Sequence, residues 1–298
     1  MTDPPPLQAT FVGVSTILFS AGQDAILIDG FFTRPSYLPV FLGKIQPDEK
    51  IVAESLTRLG VAEAEMETET SPKSDSRTLH AVLVAHTHFD HALDAPLVCK
   101  RTGARLVGSE SLHNLGRGQG VPEGQIVLAR DGAVLDYGAL RVRVWEGIHS
   151  PGDVAPGDIE GPLAMPTPFK ALKTGRCYSF LVEHRGRRAF VHPSANYVKD
   201  KFGGVGEVDW LFLGVGVLGK QSADFRDEYW KEVVEVLGPK HVVPIHWDNF
   251  WKPLSTPLLP LPWFLDRFSV AEEWLGEKCK AAGITIHMMQ AWDVMDCT

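Results

Sequence analysis

The sequence predicts an α/β protein in four layers, two β-sheets face to face with helices outside, an αββα sandwich. Three observations carry this. Short apolar runs of strand length recur along the chain. They come in groups with helical patterns interspersed, which favours two sheets flanked by helices. At 298 residues, with 44 % hydrophobic and 22 % charged side chains, the chain can bury a large core; it is not a disordered tail, a collagen-like rod or a coiled coil.

Residues 9–19 alternate loosely and residues 25–29 follow a polar Gly22-Gln23-Asp24 turn, which reads as two strands joined in a hairpin. Residues 30–47 mix aromatics with three prolines and read as an irregular loop. A helix is expected over 48–60. Residues 62–76, with Glu63, Glu65, Glu67 and Glu69, read as an acidic, solvated insertion. Residues 79–85 are an apolar run of buried-strand length, and a helix is expected to follow to Lys100, stopped by Gly103. Strand patterns recur at 104–107, 125–128, 134–137 and 140–146. Residues 147–175 are rich in Pro and Gly and too long for a plain connection, so a lid or pocket wall is expected there. A second hairpin pairs 178–183 with 187–192. Strands at 208–213 and 241–245 bracket a helix over 223–237 that Gly238-Pro239 stops; a last helix over 270–282 ends at Gly283. Residues 1–298 are expected to form one domain.

Composition narrows the function. A net charge of −8, from 29 basic and 37 acidic residues, argues against binding a nucleic-acid polymer. No apolar run approaches the roughly 18–20 residues that span a bilayer, and the start, Met1-Thr2-Asp3-Pro4, lacks a signal-peptide pattern, so a cytoplasmic protein without a membrane partner is expected. Cys99, Cys177, Cys279 and Cys297 show no CxxC spacing, which points to neither a disulfide framework nor a thiolate zinc site. The aromatic C-terminal third offers a surface for a homo-oligomer.

The most informative segment is His86-Thr-His88-Phe-Asp90-His91, directly after an apolar strand. Residues two apart on an extended segment point the same way, so His86 and His88 can converge on one ion, with Asp90 and His91 beyond the turn facing a neighbouring position. Composition alone would produce this pattern roughly once per thousand chains of this length. Imidazole and carboxylate suit Zn2+, one or two per chain, and also Mn2+ or Fe.

This HxHxDH motif resembles the signature of the metallo-β-lactamase superfamily, which implies its αββα sandwich over nearly the whole chain. By that resemblance Asp29 matches the first motif and orients the metal loop. His149, in Gly147-Ile-His-Ser-Pro-Gly152, matches the third-motif ligand, and His246, in Pro244-Ile-His-Trp-Asp248, the last one. The ligand sets implied are His86, His88 and His149 for one ion, and Asp90, His91 and His246 for the other. The ending and the opening Gly13-Val-Ser-Thr-Ile-Leu18 most resemble the L-ascorbate-6-phosphate lactonase-like branch. One position departs: where members with a bridging carboxylate carry Asp, this chain has Ser194 within His192-Pro-Ser-Ala-Asn196. The resulting set is similar to that of the third subclass of true metallo-β-lactamases. His192 is then a substitute ligand or, in preference, a supporting or substrate-facing group; Asn196 and Tyr197 are candidate donors near an oxyanion; and Trp247 to Trp251, with Phe31, Phe32 and Tyr37, either line the pocket or pack under the loops. Lys170, Lys173 and Arg176 are placed to attract an anionic substrate, or are simply solvated.

The expected activity is hydrolysis of an ester, lactone, amide or phosphodiester bond of a small molecule by metal-bound hydroxide, with Asp90 as the catalytic group that orients water or passes a proton if the second metal position is empty. The alternatives are β-lactam hydrolysis and a non-catalytic metal-binding or sensing module of the same fold.

Overall fold

The computed structural model describes residues 5–64 and 76–297. Sheet one is built from β1 (Leu7–Gly13), β2 (Thr16–Ala21), β3 (Asp24–Ile28), β4 (Thr78–Leu83), β5 (Arg105–Gly108) and β6 (Ile126–Leu128). Sheet two is built from β7 (Val134–Tyr137), β8 (Leu140–Gly147), β9 (Cys177–His184), β10 (Arg187–His192), β11 (Trp210–Gly214), β12 (His241–Ile245) and β13 (Thr285–Ile286). The last strand, β14 (Val294–Asp296), returns to pair with β1. The orders are β14-β1-β2-β3-β4-β5-β6 and β13-β12-β11-β10-β9-β8-β7.

Period-2 alternation explains why sheet one is buried on both sides. Phe11, Ile17, Phe19, Ile26 and Ile28 join the core shared with sheet two, where Phe19 meets Phe212 edge to face at 5.4 Å. The intervening Val12, Leu18, Ala25 and Leu27 face the opposite way. They pack against helices α2 (Glu49–Arg58), α4 (Ala95–Thr102) and α5 (Glu110–Gly118). The outer face of sheet two is covered by α6 (Ala223–Tyr229), its π-helical continuation Trp230–Glu235, and α7 (Phe268–Ala282). The four predicted layers are present. No helix of the described residues is long and apolar enough to cross a membrane.

Several elements differ from the sequence reading. Residues 9–19 are two strands, because Val14, at φ +52°, turns the chain between β1 and β2 inside an apolar run. The 30–47 segment carries a short helix, α1 (Tyr37–Leu42). The helix after the histidine motif is broken into α3 (Phe89–Ala92) and α4, the latter ending at Gly103 in the left-handed conformation. The helix α5 and the edge strands β13 and β14 escaped the sequence reading. Of the acidic insertion, residues 65–75 lie outside the described residues; its neck is closed by Val61 beside Arg77, and Glu63 pairs with Arg101 at 2.6 Å.

The topology gathers one set of strand ends. Strands β3, β4 and β5 run parallel, as do β10, β11 and β12, and β8 shares their direction through antiparallel β9. The segments after β3, β4, β8, β10 and β12 therefore emerge on one edge of the sandwich, where α/β folds place their ligands.

Candidate metal centre

Those strand ends deliver six metal-ligating groups. His86 and His88 follow β4; Asp90 and His91 lie on α3; His149 follows β8; His246 follows β12. They form two triads, His86–His88–His149 and Asp90–His91–His246, each with ligand atoms within 4.8 Å of one another. In the first, the ring centroids stand 4.7–4.8 Å apart and the planes cross at 78–79° in every pair. His86 Nε2 lies 3.2 Å from His88 Nδ1. In the second, His91 Nε2 lies 3.2 Å from His246 Nε2, and Asp90 Oδ2 is 3.4 Å from His246 Nε2 and 3.7 Å from His91 Nε2. His86 and His91 link the triads, ring to ring at 3.9 Å. Only His149 and His246 are half-buried, so the centre opens on their side.

Surrounding groups fix which nitrogen faces inward in three of the rings. His91 Nδ1 lies 2.8 Å from Asp29 Oδ2, which directs its Nε2 lone pair to the centre. Asp29 is fully buried; it also accepts from Ala85 N–H at 2.7 Å and from the Ser15 hydroxyl, which lies 3.0 Å from His91 Nδ1. His149 Nδ1 faces the Ser150 carbonyl at 2.8 Å, leaving Nε2 free. His88 Nε2 faces Thr174 Oγ1 at 3.0 Å and Asp153 Oδ1 at 3.2 Å, leaving Nδ1 free. His246 is held at φ +61° by its N–H to Val14 O, 2.6 Å, and fits only because Gly216 opposite has no Cβ.

The donor chemistry suits a divalent cation. Burial, with the neighbouring imidazoles, holds His86 well below the ordinary histidine range, and burial brings His149 down to about 4. His88 is also lowered, by burial that its neighbouring carboxylates only partly offset. Burial pushes Asp90 up, but His91 and His246 outweigh it and keep the carboxylate ionised. Burial lowers His246, and Asp90 outweighs it to raise the ring above its usual value. Uncharged imidazole nitrogens thus converge at 3.2 Å in the first triad, and His86 Nδ1 is buried without a hydrogen-bond partner. Such a cluster is unfavourable alone and relieved by an ion. Bonds of about 2.0–2.1 Å to a tetrahedral ion set ligand atoms roughly 3.3–3.4 Å apart, close to the distances here.

Other expected site residues lie elsewhere. Trp247 turns into the core and stacks on Phe268 at 5.3 Å, so it does not line the pocket; Phe31 and Phe32 are likewise fully buried. His192 does not face substrate: Ser179 Oγ holds its Nδ1 at 2.7 Å and the Asn196 carbonyl its Nε2 at 2.7 Å. Asn196 Nδ2 donates to the His149 carbonyl at 2.7 Å and Ala195 N–H to Ser150 Oγ at 2.7 Å. The turn holding Ser194 thus braces the His149 segment, and Tyr197 packs on Phe225. Arg176 is paired with Glu146 at 2.6 Å. Three supporting groups were missed. Ser15 sat unremarked in the opening motif, while Asp153 and Thr174 lay in the Pro/Gly-rich loop, whose length was their only signal.

The comparisons agree with this geometry. The sequence model described as Beta-lactamase superfamily domain matches residues 55–247. A UPF0173 metal-dependent hydrolase of Heliobacterium modesticaldum is 24 % identical over 253 residues, covering 82 % of this chain and 84 % of its own. Among solved structures, Igni18, a metallo hydrolase from the archaeon Ignicoccus hospitalis, aligns over 97 % of both chains with TM-score 0.55 at 15 % identity. An isothiocyanate hydrolase from Delia radicum gut bacteria aligns over 97 % of this chain and 98 % of its own, with TM-score 0.56 at 15 % identity. These structures share the fold, and the sequence match, which spans more than half of the chain, includes all six candidate ligands and ends just beyond the last of them, His246. The chain belongs to the β-lactamase superfamily, and the relatives it matches are named metal-dependent hydrolases.

Proposed function

We propose that this hydrolase opens an ester bond of a small molecule, most simply the cyclic ester of a lactone, at two adjacent ions held by His86, His88, His149 and by Asp90, His91, His246. The observation that carries the reading is the pair of convergent triads sharing one opening beside His149 and His246. The ligands come from residues 86 to 246 and from both sheets, which supports residues 1–298 acting as one unit.

Zinc suits the imidazole-rich set, and such an ion lowers the pKa of water and polarises a carbonyl oxygen. The chain's own residues supply the rest. Asp90 remains ionised, which suits it as a ligand of the second ion; where that position is empty, its carboxylate is free to orient water or pass a proton to the departing alkoxide. Asp29 and Ser15 hold the His91 tautomer; Asp153 and Thr174 hold that of His88. For a lactone, water adds across the acyl C–O bond and one hydroxy acid leaves.

The test is metal content per chain by elemental analysis on untagged, chelator-free protein, beside a His88→Ala control, followed by a screen of lactones, β-lactams and phosphodiesters. About two equivalents of zinc or manganese with lactone turnover is the expected result. Iron near two equivalents moves the reading to redox chemistry; β-lactam turnover alone replaces the substrate class. No metal after reconstitution leaves a binding module.

A further inference from the structure

Beside His246 begins a continuous aromatic wall that the metal chemistry does not use. Phe250 stands edge-on to the His246 ring at 6.0 Å and contacts Trp251 at 4.5 Å. Trp251 touches Tyr37 at 4.4 Å and Phe41 at 5.9 Å. Phe41 meets Phe169 at 5.6 Å, and Phe169 returns to Phe89, between two ligands in sequence, at 5.9 Å. Phe89 closes the circuit on Phe250 at 5.9 Å. The wall runs from a ligand to solvent: Phe89 is buried, Phe250 and Trp251 half-buried, and Phe41 is 55 % exposed.

The rim is apolar too. In α1 only Val40 is buried, while Leu38 and Leu42 stand 70 % and 82 % exposed. Across the centre, Ile148 precedes His149 and Val154 follows Asp153, exposed by 46 % and 66 %. Two nearby cations are countered: Arg34 and Asp248 pair under the His246 loop with no exposure, and Arg176 is held by Glu146. Lys170 lies over the Phe169 ring at 6.0 Å. Exposed apolar surface joined to a polar centre marks a ligand-facing surface.

We propose that the substrate carries an apolar group, an alkyl chain or aromatic ring, that lies along Phe250, Trp251 and Phe41 while its ester carbonyl sits over the two triads. This rests on the ester-hydrolase reading and specifies its substrate class: an apolar acyl or lactone compound in preference to a phosphorylated sugar lactone. Each methylene moved from water onto the wall raises kcat/KM about fourfold, from the transfer free energy of a CH2 group.

The experiment uses the full-length, metal-loaded protein and γ-butyrolactone, its γ-butyl, γ-hexyl and γ-phenethyl derivatives, and 6-phosphogluconolactone. The expected kcat/KM rises at least a hundredfold from the parent to the hexyl lactone. In Trp251→Ala and in the surface variant Phe41→Ser, the hexyl-to-parent ratio falls at least tenfold with metal content retained. Equal rates along the series, or a preference for the phosphorylated lactone, overturn the proposal. If no lactone turns over, the ester-hydrolase reading fails, and the wall is judged separately by tryptophan fluorescence during titration of 4-hydroxydecanoate into chelator-treated protein. Saturable binding that Phe41→Ser weakens supports the wall; absence of saturation overturns it.

Discussion

His86 and His91, whose rings lie 3.9 Å apart, belong to triads held by different kinds of structure. Behind Asp90–His91–His246 stands the core of sheet one. The turn between β1 and β2 supplies Ser15 to Asp29 and Val14 to both His246 and Asp248, whose Oδ1 accepts the Val14 N–H at 2.7 Å. Asp248 pairs with Arg34 at 2.7 Å, and Gly13, at φ +123°, has room for that guanidinium only because it has no Cβ. Val14, Asp29, Arg34 and His246 all hold positive φ. Strain of that kind persists only where the surroundings over-determine it. Behind His86–His88–His149, by contrast, stand the ends of the 147–175 loop, whose regular structure is one 3-10 turn at Phe169–Ala171, and the Ser194 turn. The contrast teaches that one triad is preorganised by the fold, while the other depends on a loop remaining in place.

Removing Asp29 is the largest single disruption of the rigid side. Asp29→Ala leaves the Ala85 N–H, the Ser15 hydroxyl and the His91 N–H without their acceptor in a dry core. Each such group costs roughly 1–3 kcal/mol. A loss of about 4 kcal/mol in urea unfolding is expected, together with loss of one metal equivalent. Asp29→Asn, which tolerates the left-handed backbone, should retain more stability but still misorient His91. Retention of both metals with a stability change under about 1 kcal/mol would sink the preorganised half of the comparison.

The loop-held side is expected to weaken with acid. Burial brings His192 down to about 4, and its ring carries the Asn196 carbonyl, next to the amide that supports His149. A histidine lowered by folding takes up a proton more readily when unfolded. Its contribution is therefore complete above about pH 6.5 and disappears as pH falls towards 4, roughly 3 kcal/mol in all. Unfolding of metal-free wild type and His192→Gln, compared from pH 7 to 4, isolates this group, because other titrations cancel in the difference. Parallel curves would remove His192 from the account.

What the sequence revealed follows the same division. The ligand-bearing strand ends were legible because a buried strand is an unbroken apolar run and the histidine motif follows one directly. The turn at Val14 was hidden because its residues are as apolar as the strands around it. The helix α5 was obscured by Gly116 and Gly118 within it, and β13 and β14 by spanning two and three residues. Trp247 looked like a pocket residue because it adjoins His246, yet its side chain points into the core against α7. Asp153 and Thr174 meet His88 across separations of 65 and 86 residues, and no local pattern encodes such a contact.

Asp153 therefore tests the loop-held triad directly. Asp153→Ala removes the carboxylate facing His88 Nε2, and with it the partner that Thr174 shares. Outer partners of metal-binding histidines are worth roughly 10–100-fold in affinity. Titration against a chromophoric chelator should show one of two ions weakened by that factor, with the second unchanged and folding stability nearly intact. If both ions weaken equally, the triads do not behave as separately supported sites.

Ser15 is expected to matter least, and for a reason that sharpens the comparison. Its hydroxyl donates to Asp29 and lies 3.0 Å from His91 Nδ1. In Ser15→Ala, Asp29 keeps both the Ala85 N–H and the His91 ring, so His91 retains its tautomer. A loss of about 1 kcal/mol in stability is expected, with less than a tenfold change in metal affinity. A double-mutant cycle with Asp29→Asn measures the coupling: a value near zero would mean that the strained turn holds His91 through backbone placement alone. If Ser15→Ala instead matched Asp29→Ala, the hydroxyl rather than the carboxylate would fix the ring, and the rigidity of this triad would rest on one hydrogen bond in the β1–β2 turn.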